Sequence, residues 1–292
     1  MKIGIIGAGR VGCSMGKYLV DRGKTVTGYY SQTYENAVLA AEFTGTDRFR
    51  TMEELVALSD TLFITTPDDE IGVVWDRMKE MSIDERVICH FSGSLSSDVF
   101  DGIDGKKAYG ASIHPMLAFR DRFSSYGQLN NCFFTMEGNS DALRQLRELL
   151  EELGNSYCLV KPQDKARYHC AASVLSNDVL ALLDMGLGLL TQCGFTMDQA
   201  VSAASALVRG NVENVLANGT LRSMTGPILR GDVSTVEKHL SVLQGEEKEI
   251  YCLLGRRLLK MAEKRQEDEG TGCLELQGSY RRIEELLRKN IN

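Results

Sequence analysis

The chain has 292 residues, of which 43% are hydrophobic and 25% charged, with a formal net charge of -7. Its length suggests about two domains of ~150 residues each, its balance is that of an ordinary globular protein, and its charge excludes a basic footprint for nucleic acid. No run of ~20 apolar residues reads as a membrane span, and the first apolar segment is a strand broken by glycines, not a signal peptide. The eight cysteines, Cys13, Cys89, Cys132, Cys158, Cys170, Cys193, Cys252 and Cys273, are scattered and contain no C-x-x-C pair. They read as reduced, buried small hydrophobes of a cytoplasmic protein, neither a disulfide framework nor a metal set.

Ile3-Gly4-Ile5-Ile6 is the kind of apolar run that a buried parallel strand gives. It ends in glycines spaced G-x-G-x-x-G, at Gly7, Gly9 and Gly12. Val11, Met15, Tyr18 and Leu19 then recur at helical spacing, and Gly23 stops the helix. Strand, glycine turn and helix in this order are the context of a dinucleotide fingerprint. Gly7 permits the tight turn, Gly9 leaves room for a pyrophosphate, and Gly12 lets helix and strand pack closely. The turn residues Gly7, Ala8, Gly9, Arg10, Val11 and Gly12 are therefore candidate cofactor contacts, with the helix N-terminus facing the phosphates.

The second strand, Thr25-Val26-Thr27-Gly28-Tyr29, is followed by Tyr30-Ser31-Gln32-Thr33, where no carboxylate stands to hold a ribose diol. A neutral turn at Ser31 and Gln32 tolerates a 2′-phosphate and favours NADP over NAD. Arg10 is either its counter-charge or a solvent-exposed side chain. Thr51-Met52-Glu53-Glu54 has capping-box spacing. The strand Leu62-Phe63-Ile64-Thr65-Thr66 is closed by Pro67, which places Thr66 and Pro67 on the nucleotide side. A helix follows from Asp69, with Ile71, Val74, Trp75 and Met78 on its core face. Val87-Ile88-Cys89-His90-Phe91 precedes Ser92-Gly93-Ser94, and Tyr109-Gly110-Ala111-Ser112-Ile113 precedes His114-Pro115-Met116. Ser92 and His114 thus fall at strand ends, where open α/β sheets place ligands. Strands at 132–136 and 156–160, with a Leu-rich helix between them, complete a doubly wound parallel sheet.

Near Lys161 the pattern changes to helix throughout. The division into a dinucleotide-binding domain, 1–160, and an all-helical substrate and dimerisation domain, 161–292, rests on that change. A long helix runs from about 164 to 193, with capping boxes at Thr196-Met197-Asp198-Gln199 and Ser234-Thr235-Val236-Glu237, and helices at about 248–266 and 279–290. Lys165, His169, Ala172, Ser173 and Ser176 share one face of the long helix, with Asn177 at its edge. Such a stripe faces either solvent or a cleft. A lysine in the first turn of a helix is disfavoured as a cation, and desolvation acts the same way. Lys165 is thus either a surface lysine or a general acid or base. Arg230, in Gly226-Pro227-Ile228-Leu229-Arg230-Gly231-Asp232, either clamps an anionic group or pairs with Asp232.

With these segments in place, the chain resembles the superfamily of 6-phosphogluconate and hydroxyacid dehydrogenases, ketopantoate reductase and prephenate dehydrogenase. It is more closely similar to a family that joins a Rossmann-like half to a C-terminal domain of unknown function, related to deazaflavin-dependent NADP reductases. The matching segments are 7–12, Thr66-Pro67-Asp68, His90-Phe91-Ser92-Gly93, Ser112-Ile113-His114-Pro115-Met116, 165–177 and 225–232. The resemblance implies a helix lysine, Lys165, that handles the substrate proton. The asparagine expected four residues on is replaced by His169, and Asn177 stands two turns further along.

Three functional readings follow. The first is an NADP-dependent oxidoreductase, with NAD or deazaflavin as other cofactors, acting on a small polar carbonyl, imine or hydroxy-acid-like substrate. Lys165, His169, Asn177 and His114 would be catalytic, and Ser173 and Arg230 would bind substrate. The second is an NADP-binding regulatory or scaffold protein without turnover, and the third a prephenate-like dehydrogenase. Related folds dimerise through the helical domain, so a homodimer with no nucleic-acid or membrane partner is expected.

Overall fold

The structure is a computed structural model describing residues 1–271 and 274–291, so Cys273 lies outside the described residues. It divides into two compact units, Met1–Val179 and Leu180–Asn292.

The first unit is an eight-stranded sheet flanked by helices. In chain order it contains β1 (Lys2–Ile6), α1 (Arg10–Asp21), β2 (Thr25–Tyr30), α2 (Tyr34–Thr44), β3 (Asp47–Phe49), α3 (Met52–Leu58), β4 (Thr61–Ile64) and α4 (Asp68–Met78). There follow β5 (Val87–His90), β6 (Tyr109–Pro115), β7 (Phe134–Gly138), α5 (Ser140–Leu153), β8 (Tyr157–Leu159) and α6 (Lys165–Ser173). The strand order is β3-β2-β1-β4-β5-β6-β7-β8. This is the doubly wound α/β fold the sequence predicts, with two differences. The short β3 adds an edge beyond β2, and β7 runs antiparallel to β6. A parallel return needs a crossover of a dozen or more residues, usually an α-helix. The β6–β7 connection holds only the 3-10 turn Ser125–Asn131 and doubles back instead.

Strand alternation separates two cores. Ile3, Ile5, Phe63 and Ile113 face one side, where Tyr18 and Leu19 of α1 and Leu146 and Leu149 of α5 cover them. Ile6, Leu62, Ile64 and Ile88 face the other, under Leu55 of α3 and Ile71, Trp75 and Met78 of α4. The Thr51 capping box forms as expected, with Thr51 Oγ1 accepting from the Glu54 amide at 3.3 Å.

The long helix is not uniform. α6 passes through a π-helical turn, Val174–Asp178, into α7 (Val179–Gln192). The first unit ends at Val179, beyond the expected boundary near residue 160, because α6 is tied to the sheet by the polar contacts described below. The second unit continues with α8 (Met197–Arg222), α9 (Val233–Val242), α10 (Gly245–Glu269) and α11 (Leu274–Lys289). Its core joins Val236 and Leu240 of α9 to Cys252 and Leu259 of α10 and to Tyr280, Ile283 and Leu287 of α11. Asp232, not Ser234, caps α9. Its carboxylate accepts from the Thr235 amide at 3.0 Å and from both neighbouring hydroxyls, a stronger acceptor set than a serine offers.

Two further expectations are corrected. Among the described residues, the stretch Pro162–Gln192 is long and apolar enough, by length and composition alone, to cross a membrane. The polar residues Ser173, Ser176, Asn177, Asp178 and Asp184 interrupt it, which is why no unbroken apolar run announced it in the sequence, yet they are too few to cancel its apolar average. Cys158, Cys170 and Cys193 are exposed, whereas Cys13, Cys89, Cys132 and Cys252 are buried; all seven are free thiols.

Candidate active site

The glycine turn is built as its spacing requires. Gly7 has φ 105°, a left-handed value that favours glycine. A Cβ on Gly12 would lie 2.3 Å from the Gly7 carbonyl oxygen. At Gly9 the same atom would meet open space. No side chain caps α1 and no acidic residue stands in its first turn, so its first amides are free for an anion. This turn opens into a cavity of about 390 Å³ lined by Gly7, Ala8, Gly9, Ser31, Gln32, Thr66 and Pro67 among others. The Thr66 hydroxyl on that lining is buried with no hydrogen-bond partner.

Four expected cofactor residues lie off that lining. Gly12 packs helix on strand, and Val11 joins the core margin. Arg10 is not on that lining; its charge adds a little to the lowering of the Asp121 carboxyl, which the Ser124 hydroxyl and the Phe123 and Ser124 amides chiefly hold low. Ser92 is buried and engaged: its Oγ donates to Asp68 Oδ2 at 2.6 Å and accepts from the Leu95 amide at 2.9 Å.

The cations on the cavity come instead from elements that the motif does not reach. Arg77, on α4, donates to the Tyr30 hydroxyl at 3.4 Å and stacks 5.8 Å from the Tyr30 ring centre. Arg122, after β6, donates to Asn36 Oδ1 at 2.9 Å. Neither has a carboxylate within salt-bridge distance among the described residues, although Glu70 also lines the cavity. No spacing rule could have found them, since Arg77 follows Ser31 by 46 positions and Arg122 by 91.

A second cluster forms where β5 and β6 end under α6. Lys165 is 1% exposed and does not share an open face with His169. Its Nζ donates to the Ser92 carbonyl at 2.9 Å and to Ser112 Oγ at 2.7 Å. Burial pushes its pKa down, while the charges of Glu137, Cys89 and Asp68 push it back up. Glu137, itself buried, takes the Ser97 amide at 2.6 Å and the Ser97 hydroxyl at 2.8 Å, and burial raises its carboxyl. Lys165 thus reaches inward as a tie between α6 and two strand ends.

The rest of the stripe does face a cavity. His114, His169, Ser173, Ser176 and Asn177 line a space of about 370 Å³. His114 Nδ1 lies 2.7 Å from the Tyr168 hydroxyl, and the two histidine rings are 6.2 Å apart. Gly93 lies beneath them: a Cβ there would sit 2.4 Å from the His169 ring and 2.9 Å from His114 Nε2. Burial lowers the His114 pKa to about 4, with the charges of Lys165 and His169 acting the same way. His90 is lowered to about 4 by burial as well. Its Nδ1 accepts from the Ser92 amide at 3.2 Å, which leaves Nε2–H for the Ser96 carbonyl at 3.1 Å. Arg230 lies in the second unit beside Asp232, whose carboxyl the Thr235 hydroxyl and amide chiefly hold low.

A Rossmann-like family model matches residues 1–115, and a model described as Domain of unknown function (DUF2520) matches residues 132–258. The first match falls on the glycine turn and the sheet, and the second runs from β7 into the helices that follow α6. No curated protein matches it in sequence. Among solved structures, protein TM1727 from Thermotoga maritima is similar at 24% identity and a TM-score of 0.69, covering 91% of this chain and 99% of its own. BF3122 from Bacteroides fragilis, which carries a provisional NADP-oxidoreductase label, matches at 20% identity and 0.70, covering 89% and 98%. The imine reductase from Myxococcus stipitatus, in complex with NADP+, matches at 15% identity and 0.59, covering 99% and 93%. Likeness at these identities shows a shared fold.

Proposed function

We propose that the chain is an NADP-dependent oxidoreductase acting on a small polar carbonyl, imine or hydroxy-acid-like substrate. The observation that carries this reading is the unfinished chemistry of the cavity above the glycine turn. It combines an uncapped helix N-terminus, an unpartnered Thr66 hydroxyl, and two arginines without carboxylate partners beside a neutral Ser31-Gln32 turn. An anion at the helix end and a second anion near Arg77 and Arg122 complete it. The dinucleotides named for the structural neighbours support the same assignment.

When bound, the dinucleotide supplies or accepts the hydride. The protein's part is position and charge. Lys165 holds the ends of β5 and β6 in register through Ser92 and Ser112. His114, His169, Ser173 and Asn177 offer polar groups to a substrate in the 370 Å³ cavity. Arg230, in the second unit, is by itself a candidate for binding an anionic group, on the two-point geometry of its guanidinium. A nucleotide-binding protein without turnover is the second reading, and the burial of Lys165 favours it. Thermal-shift titration with NADPH, NADH and reduced deazaflavin tests the assignment. NADPH is expected to stabilise most, and no shift with any of the three overturns it.

We further propose a homodimer joined through α7 and α8. Leu180, Leu182, Leu207, Val212 and Leu216 are exposed, and Ala200 is the only buried residue recorded across both helices. A reducing compartment suits the three exposed free thiols, which supports a cytoplasmic location.

A further inference from the structure

The imidazole of His114 is held on one edge and free on the other. Tyr168, one turn into α6, places its hydroxyl 2.7 Å from Nδ1. Nε2 has no partner among the described residues, and the ring lines the 370 Å³ cavity with His169, Ser173, Ser176 and Asn177. Two arrangements fit the 2.7 Å contact: Tyr168 O–H donating to a bare Nδ1, or Nδ1–H donating to the phenol oxygen. A phenol is the better donor and a neutral imidazole nitrogen the better acceptor, so the O–H···N form is favoured. Thr135 stands opposite His114 in the β6–β7 ladder, and its hydroxyl is buried without a hydrogen-bond partner.

We infer that Tyr168 fixes His114 as the tautomer with its proton on Nε2, so that a neutral N–H donor points to an acceptor atom of the substrate. The inference rests on the oxidoreductase reading and narrows its substrate. A carbonyl oxygen accepts such a bond. The N–H of a protonated imine cannot, because it too is a donor. Within the classes proposed, the carbonyl compounds and their hydroxy-acid products fit the site, and iminium ions do not. Tyr168 is a positioning residue here, acting through His114. The groups facing the ring are Tyr168, Lys165 and His169 from α6, Thr135 from β7, and Asp68 from the start of α4. Two of these, Lys165 and His169, oppose a charged imidazole, in addition to its burial, and Asp68 favours it. Gly93 belongs to the same arrangement, since any side chain there would displace both rings.

The test is the ¹⁵N spectrum of the histidine side chains in the intact protein, with His114 assigned by its loss in His114→Gln. The expected result is a protonated Nε2 and a bare Nδ1 at neutral pH, unchanged down to about pH 5. Tyr168→Phe, which keeps the ring in place, is expected to give a mixture of tautomers and a raised imidazole pKa. A proton on Nδ1, or a charged His114 at pH 7, overturns the inference. So does an unchanged spectrum in Tyr168→Phe. These readouts need no turnover, so they remain decisive if NADPH fails to bind and the broader reading falls. Where NADPH does bind, quenching of its fluorescence by keto acids and by N-alkylated cyclic iminium ions, which have no acceptor lone pair on nitrogen, should rank the keto acids tighter by ~10-fold. A preference for the iminium ions overturns the substrate assignment.

Discussion

The two cavities of the sheet unit differ in how their polar groups are satisfied. Around the glycine turn, the first amides of α1 and the Thr66 hydroxyl are left open, beside the guanidinium groups of Arg77 and Arg122, which have no carboxylate partner among the described residues. Beneath α6 the protein bonds to itself. Lys165 meets Ser92 and Ser112, Ser92 meets Asp68, and Glu137 meets Ser97. A buried polar group without a partner costs about 1–3 kcal/mol, a cost the Thr66 hydroxyl carries until a ligand or water completes it. On the proposed reading the first region takes the cofactor, while in the second most polar groups are structural and the histidine face is left for a substrate.

That contrast is most easily broken at Gly12. Gly12→Val places atoms where a Cβ already lies 2.3 Å from the Gly7 oxygen. NADPH affinity should fall by ~100-fold or more, about 2.8 kcal/mol, as read by fluorescence titration. Retained affinity would show that the turn does not set the cofactor position.

Lys165→Met probes the self-satisfied region. The side chain stays long and apolar, but the Ser92 carbonyl and Ser112 hydroxyl lose their donor. Urea unfolding should show a loss of about 2–4 kcal/mol, with NADPH affinity within about twofold of wild type. A stable variant that has lost only turnover would return Lys165 to a catalytic role.

Arg122→Ala and Arg77→Ala sharpen the cofactor side. Each should weaken NADPH about 10-fold, in line with charge-assisted hydrogen bonds of about 1.5–3 kcal/mol, and leave NADH unchanged. Equal losses for both cofactors would move these arginines away from a 2′-phosphate.

The smallest effect is a pH dependence of melting temperature. His90 and His114 have folded pKa values of about 4 against an ordinary 6.5. Between these values the unfolded chain binds more protons than the folded one, so stability rises with pH. The contribution is complete above pH 6.5 and is lost as the pH falls toward 4. Replacing His90 by Gln should flatten part of that slope in thermal scans. An unaltered slope would assign the acid sensitivity to other groups.

Much of the binding region was legible in the sequence. Its recognition depends on short-range constraints: a strand, three glycines and a helix within a dozen residues. The stripe of His169, Ser173 and Ser176 was also legible, because helical spacing alone puts these residues on one face. Lys165 was placed on that face too, yet it turns inward. Helical phase sets where a Cβ points, but a flexible four-carbon stem follows its acceptors, and these come from β5 and β6. The missing Ser234 capping box is a case of the same kind, since a carboxylate two residues earlier outcompetes the hydroxyl.

The sequence by itself determined the alternating strands and helices, the glycine turn and the neutral residues that follow β2. Each is a local consequence of period, backbone freedom or side-chain charge. Only the tertiary structure decided that β7 runs antiparallel, that α6 belongs to the sheet unit, that Arg77 and Arg122 rather than Arg10 line the cavity above the glycine turn, and that Tyr168 meets His114. Those facts depend on residues brought together from afar, as with Arg77, 46 positions after Ser31, or Tyr168, 54 positions after His114. Their contact is set by how elements pack, and no spacing along the chain encodes it.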